Sequence, residues 1–146
     1  MWRPTLKTIK VKYLAGAKPL EKIEQGDWID LYTYEDEELY LGEHKYISLG
    51  VAMQLPLGYE AIVAPRSSTF KKWGLLQTNS IGVIDNSYCG DDDIWVFPAY
   101  ATRNVKIPAG TRLCQFRIQE CQPLIEFIPV DTLGNKNRGG FGTSGN

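Results

Sequence analysis

Turn signals recur through this chain roughly every eight to twelve residues, and between them only one stretch reads as a helix. A chain punctuated so often has no room for a helical bundle. It must fold from short strands, as a barrel or a sandwich. Residues 6–13 alternate apolar and polar, which predicts a strand with one wet face. Residues 28–34, 45–49, 51–55, 60–64, 75–78, 94–100, 104–107, 112–120 and 124–129 read as further strands. Residues 15–26 form a loop around Pro19. The acidic run 35–38 reads as a solvated turn, and Pro56-Leu57-Gly58-Tyr59 as another turn. The exception is Thr69–Trp73, entered through Pro65-Arg66-Ser67-Ser68 and closed by Gly74. Serines at the entry can cap a first turn, and glycine suits the left-handed stop.

The most informative stretch is Ser80–Gly90. The apolar residues Ile81–Ile84 run into Asp85, then Asn86-Ser87, then Tyr88-Cys89-Gly90. Asn and Ser at a turn centre with Gly close behind predict a hairpin, with Asp85 ending one strand and Tyr88 beginning the next. A carboxylate and an aromatic ring would then face one small cavity. The same residues also fit an aspartate that merely supports its turn.

Composition narrows the chemistry. With 146 residues and 43% apolar content, the chain makes one domain with a real core. Its formal charge of −1 points to neither a nucleic-acid backbone nor an anionic membrane as partner. Cys89, Cys114 and Cys121 have no CxxC spacing, which argues for a reducing compartment. No apolar run approaches a membrane span, and the first residues do not resemble a signal peptide, so a cytoplasmic location is expected. His44 is the single histidine and reads as part of an idle surface turn. Ser-His-Asp, Cys-His and most zinc mechanisms are therefore disfavoured. An enzyme of this composition would use a carboxylate base and a hard ion such as Mg²⁺.

Other polar residues have reasons to cluster. Arg66, Ser67 and Ser68 at the mouth of the short helix combine backbone N–H groups, two hydroxyls and a forked cation, a site for phosphate or an ordinary cap. Gln115 lies between Cys114 and Phe116, and an amide among apolar neighbours needs partners. A bound water, a phosphate oxygen or a cross-strand bond would serve. Asp30 could hold a metal-bound water or an arginine, and the amide of Asn79 can read a base edge. Residues 134–146 hold five glycines and little apolar besides Phe141. They are expected to form a flexible arm beyond a domain of residues 1–133, able to order over a phosphorylated ring-bearing ligand.

In their order and spacing these segments resemble the trimeric dUTPases (deoxyuridine triphosphate nucleotidohydrolases). Pro65-Arg66-Ser67-Ser68 matches the second family motif, and Gly82-Val83-Ile84-Asp85-Asn86-Ser87-Tyr88-Cys89-Gly90 the third. Gly110–Gln115 matches the fourth, and the Gly-Phe-Gly tail the fifth. The chain looks closest to the dUTPases of Gram-positive bacteria and their phages. Two departures stand out. The first-motif glycine, Gly26, lies four residues before Asp30, so Asp27 rivals Asp30 for the role. In the fifth motif Lys136 stands where arginine is usual, while Arg138 directly precedes Gly139-Gly140.

The resemblance implies an all-β, barrel-like or jelly-roll-like fold and a homotrimer with shared active sites. It implies hydrolysis of dUTP to dUMP and pyrophosphate, which keeps uracil out of DNA and supplies dUMP for dTMP synthesis. Asp85 would be the general base. Gln115 would place the water, and Arg66, Ser67 and Ser68 would hold the triphosphate. Mg²⁺ would be held by phosphates and water, with Asp30 reaching it through water. Asn79, Gly82 and Ile84 would meet the uracil edge, and Tyr88 the deoxyribose. Arg138 would take the terminal phosphate, with Phe141, Gly142 and Thr143 closing over the ring. Rival readings are a dCTP deaminase relative of the same fold, a phage regulatory protein that binds a repressor, and a plain β-sandwich module that binds sugar.

Overall fold

A computed structural model describes residues 5–140 and 142. In chain order the elements are β1 (Lys10–Tyr13), β2 (Ile29–Tyr32), β3 (Glu37–Leu39), β4 (His44–Ser48), β5 (Val51–Gln54) and β6 (Tyr59–Pro65). Then come α1 (Thr69–Trp73), β7 (Leu75–Gln77), β8 (Gly82–Ile84), β9 (Val96–Ala101), β10 (Val105–Ile107) and β11 (Arg112–Glu120). The strands pair as β2-β11-β6-β8, β4-β9-β7, β1-β5 and β3-β10. Every pairing among the described residues is antiparallel, and none of these sheets closes on itself.

The longest strand, β11, explains how the core is filled. Cys114 and Phe116 lie opposite Leu31, Ile29, Pro65 and Val63, on the inward face. Gln115 falls on the other face, level with Asp30 and Ala64. A register shift between Arg112 and Cys114 lets Leu113 be buried as well as Cys114, the usual consequence of an extra residue in one strand. Phe116 packs edge-on against Trp95, with ring centroids 5.2 Å apart, and Phe97, Leu31, Leu39 and Ile47 complete the centre of the core. Burial removes the Cys114 thiol from acid–base chemistry by pushing its pKa well up, and the Asp30 carboxylate adds to the effect.

Several expectations need correction. The predicted strand 6–13 is shortened to its second half, because only Lys10–Tyr13 find partners, on β5. The acidic run is not all solvated. Glu37 opens β3 and is 4% exposed, with Lys45 Nζ 2.6 Å from its carboxylate. Its burial is tolerated because the charge is paired. His44 begins β4 rather than sitting in a turn, and its Nε2 lies 3.2 Å from Thr78 Oγ1.

The predicted strand at 124–129 does not form: Leu124, Ile125, Phe127 and Ile128 are exposed and have no ladder partner. Their composition suits a sheet, but among the described residues no strand edge receives them. The return strand of the predicted hairpin is also missing. β8 pairs with β6 alone, and regular pairing resumes only at Val96. The Asp85–Tyr88 turn does form, closed by Tyr88 N–H to the Asp85 carbonyl at 3.0 Å. It is tied elsewhere, however: Asn86 Nδ2 donates to the carbonyls of Pro56 (2.9 Å) and Tyr59 (2.7 Å).

Candidate active site

Gly82 begins the site. A Cβ there would stand 3.2 Å from the Val63 Cβ, 3.6 Å from Gln77 Nε2 and 3.7 Å from Asn79 Nδ2. Glycine thus lets β8 lie tight against Val63 of β6, with the two amides at ordinary contact distance. Gln77 is buried and donates to the Val63 carbonyl at 3.2 Å, bridging β7 to β6. Between Gln77 and Gly82 the chain reverses sharply. Ser80 takes φ 62°, and Ile81 N–H donates to the Asn79 carbonyl at 2.6 Å. A non-glycine residue with positive φ is costly and marks a segment held in place by its surroundings.

From there β8 delivers Asp85 to the rim of a cleft of about 410 Å³. Asn79, Gly82, Val83, Ile84, Asp85, Ser87 and Tyr88 line one part of it, and Tyr46, Val63, Ile94, Trp95, Val96 and Pro98 the rest. The structure therefore brings together Asp85, Asn79, Gly82, Ile84 and Tyr88. Asp85 is exposed, and hydrogen bonds from the Ser87 hydroxyl and then the Ser87 N–H hold its carboxyl below the usual carboxylate range. Hydrogen bonds to the charged form favour that form. Tyr88 is partly exposed and donates to the Ile94 carbonyl at 3.2 Å, which fixes its ring at the rim.

A second concavity, of about 620 Å³, is lined by Arg66, Ser68, Lys72, Trp73, Pro108, Thr111 and Arg112. It carries three cations and is shaped for an anion. The predicted serine cap is absent: Ser68 is the N-cap residue but makes no side-chain capping bond. Thr69 holds the turn instead. Its Oγ1 accepts from Arg66 N–H and donates to the Leu113 carbonyl, each at 2.8 Å, so α1 is fastened to β11. Gly74 closes the helix as expected, with φ 66°.

Asp30 is paired with two arginines of this second concavity. Its carboxylate lies 3.1 Å from Arg66 Nε and 3.8 Å from Arg112 Nε, so it meets arginines. Asp27 is instead paired with Arg117 at 3.2 Å. Gln115 is half-buried, and its Nε2 donates to the Pro65 carbonyl at 3.1 Å, which is the cross-strand bond.

The two groups are separated within one chain. Ala61 pairs with Ile84 and Ala64 with Gln115. Extending the register by one residue sets Asp85 beside Glu60. Asp85 is then about 13 Å along the strands from Gln115 and about 10 Å across them. The two concavities share no lining residue.

The sequence reading missed Tyr46, Gln77, Ile94, Trp95 and Pro98 around the cleft, and Lys72 and Arg112 in the basic concavity. Gln77 carried no signal, since the exposed residue of Leu75-Leu76-Gln77 is a leucine and the glutamine is buried. The others come from elements distant in sequence. Ser67 and Arg138 are exposed and Gly142 lies on an exposed turn, while Phe141 and Thr143 fall outside the described residues.

The model of the dUTPase family matches residues 25–145. An SPbeta prophage-derived deoxyuridine 5'-triphosphate nucleotidohydrolase of Bacillus subtilis (strain 168) is 56% identical over 138 residues, covering 94% of this chain and 97% of that protein. A deoxyuridine 5'-triphosphate nucleotidohydrolase of Leifsonia xyli is 33% identical, covering 94% and 91%. Among solved structures, a mutant dUTPase of phage 80alpha superposes with a TM-score of 0.79 at 21% identity, covering 94% of this chain and 98% of that one. The dUTPase of Streptococcus mutans superposes with a TM-score of 0.71 at 21% identity, covering 80% and 98%. With the family model spanning most of its length, and a close relative aligned almost end to end, the chain belongs to the dUTPase family.

Proposed function

We propose that this chain hydrolyses dUTP to dUMP and pyrophosphate, with Asp85 as general base. The observation that carries the reading is an ionised carboxylate on a pinned turn, opening into the same cleft as Asn79, Gly82 and Tyr88. Asp85 takes the proton from a water as that water attacks the α-phosphorus, and the bond to pyrophosphate breaks. Asn79 and the backbone of Gly82 and Ile84 meet the uracil edge. A base with the reversed donor and acceptor pattern would leave these groups unpaired, which can discriminate by about 10⁴-fold. Tyr88 packs on the deoxyribose and leaves no room for a 2′-hydroxyl.

The triphosphate belongs to the basic concavity, with Arg66, Ser67 and Ser68 holding it as charge moves to the leaving group. Gln115 places the water from that side. Because both oxygens of Asp30 face arginines, the residues present fit an indirect, water-mediated contact with Mg²⁺ rather than an inner ligand. A hard ion that keeps its waters and binds phosphates matches this donor set. Bound there, it would offset phosphate charge.

Asp85 and Gln115 of one chain are too far apart to share a water. The reading therefore calls for copies of the chain to complete one another's sites, as a homotrimer. The exposed apolar run from Leu124 to Leu133 supports this, because nothing among the described residues of its own chain covers it. Residues 134–146 would act as the closing arm. There Arg138 takes the terminal phosphate, Lys136 adds charge, and Phe141, Gly142 and Thr143 close over the ring. A dUTPase of phage 80alpha is described as controlling transfer of virulence genes, but at 20% identity that likeness carries the fold and not the role.

The test is pyrophosphate release from each nucleoside triphosphate in the presence of Mg²⁺. Asp85→Asn should cut turnover of dUTP by about 10²- to 10⁴-fold while dUTP still binds. Near-normal turnover would remove Asp85 as the base, and ammonia released from dCTP would favour a deaminase. Deleting residues 138–146 should cripple turnover and leave the oligomer intact. A monomeric truncate would assign the arm a structural role instead.

A further inference from the structure

Two residues beyond the base, Ser87 has no part in the mechanism above, although both of its donors point at Asp85. The Ser87 N–H lies 2.9 Å from Asp85 Oδ2, and the Ser87 hydroxyl bonds the same oxygen. We propose that Ser87 is a positioning residue for the general base, holding Oδ2 from two directions so that Oδ1 is turned to the attacking water. The inference rests on Asp85 being the base.

A carboxylate on an exposed turn ordinarily rotates about χ1 and χ2 and presents either oxygen. Two donors on one oxygen remove that freedom, and neither bond falls on Oδ1. Orientation set before the substrate arrives is orientation that the reaction need not supply, and small misplacements of a reacting group cost rate steeply. The turn cannot easily drift, because the Asn86 side chain is fastened to two carbonyls of the β5–β6 connection and β6, at Pro56 and Tyr59. Asn86 thus holds the turn, and Ser87 holds the carboxylate on it.

The charge on Asp85 follows from the same contacts. The Ser87 hydroxyl is the largest cause of its lowered pKa, followed by the Ser87 N–H, with Asn86 contributing least. The titratable groups that face it are Glu60, set opposite by the register of β6 and β8, Tyr59 beside Glu60, and Tyr46 and Tyr88 around the cleft. Asp91, Asp92 and Asp93 follow on its own segment. None of these is among the causes of its shift. Removing the hydroxyl should therefore raise the pKa of Asp85. Activity should then begin to fall at a higher pH on the acid side.

The experiment compares wild type, Ser87→Ala and Ser87→Thr in two measurements. One is the carboxyl ¹³C titration of Asp85 with no nucleotide present. The other is the pH profile of kcat and KM for dUTP. In Ser87→Ala the titration midpoint should move up, kcat should fall on the order of 10-fold, KM should stay within about two-fold, and the acid limb should move up with the midpoint. Ser87→Thr keeps a hydroxyl and should restore all of these. An unmoved midpoint in Ser87→Ala would overturn the proposal whatever the turnover, and so would a raised midpoint with unchanged kcat. Absence of dUTP hydrolysis by wild type would instead remove the proposed function. The titration would still read the Ser87–Asp85 contact.

Discussion

Gly74 ends the helix that carries the basic concavity, so replacing it with alanine tests whether that concavity depends on the helix stop. Two costs can be read from the structure. The first is conformational: an alanine at φ 66° pays about 1–2 kcal/mol for the left-handed backbone. The second is steric. The new Cβ would stand 2.7 Å from Arg103 Nε, 2.9 Å from its Cγ and 3.1 Å from Thr102 Oγ1. Arg103 must swing away and give up its 2.7 Å bond from Nη2 to the Lys72 carbonyl, which costs about 0.5–1.5 kcal/mol. The sum is about 1.5–3.5 kcal/mol, or a fall in Tm of about 3–14 °C for a chain of this size. Urea titration at fixed protein concentration measures it. Arg103→Ala separates the two parts, because in that background Gly74→Ala should cost only the backbone portion. A loss below about 0.5 kcal/mol in the wild-type background would refute the backbone argument. A loss unchanged by Arg103→Ala would refute the steric one.

Tyr88→Ala should loosen rejection of UTP relative to dUTP, read as the ratio of kcat/KM for the two, and unchanged discrimination would count against the sugar-packing role. Lys45→Met tests the pair with Glu37. The Glu37 hydrogen bond raises the Lys45 pKa, so the pair's stabilisation is fully present below the ordinary lysine value and drains as pH rises through the raised one. The stability gap between wild type and Lys45→Met should be flat through neutral pH and shrink above about pH 10.4. A gap that widens there would reverse the sign of the argument.

What could be read in the sequence was whatever is decided locally. The short helix was legible because a glycine that must take a left-handed φ leaves a clear mark, and β11 because apolar and polar residues alternate from Cys114 to Gln119. Decisions made by distant partners were not legible. Glu37 looks like any acidic turn residue until Lys45 is brought to it from the next strand. Asn86 and Ser87 looked like ordinary turn formers, and in place of the hairpin's return strand the chain turns again at Gly90–Asp93, where the Asp93 N–H meets the Gly90 carbonyl and the Gly90 N–H meets the Asp93 carboxylate. The run 124–129 has the composition of a strand but, among the described residues of its own chain, no edge to pair with.

The same limit governs the site. The order of the motifs does not say which of their residues meet within one chain, and it was the resemblance that implied sites shared between copies. The register separates the motifs within one chain. Asp30 and Gln115 lie level across β2 and β11, four residues of β6 away from the row that holds Asp85. No rotamer closes a gap of about 13 Å along rigid, paired strands. Either Gln115 does not serve the water that Asp85 activates, or it serves the water activated by another copy. The basic lining of the second concavity, where the nearby Asp30 carboxylate is already paired with Arg66 and Arg112, favours the second alternative. Mixing Asp85→Asn chains with Gln115→Ala chains decides between them. Two dead parents that regain activity on reassembly require a site shared between copies; an active Gln115→Ala parent would remove Gln115 from the water, and dead parents whose mixture stays inactive would overturn the separation read from the register.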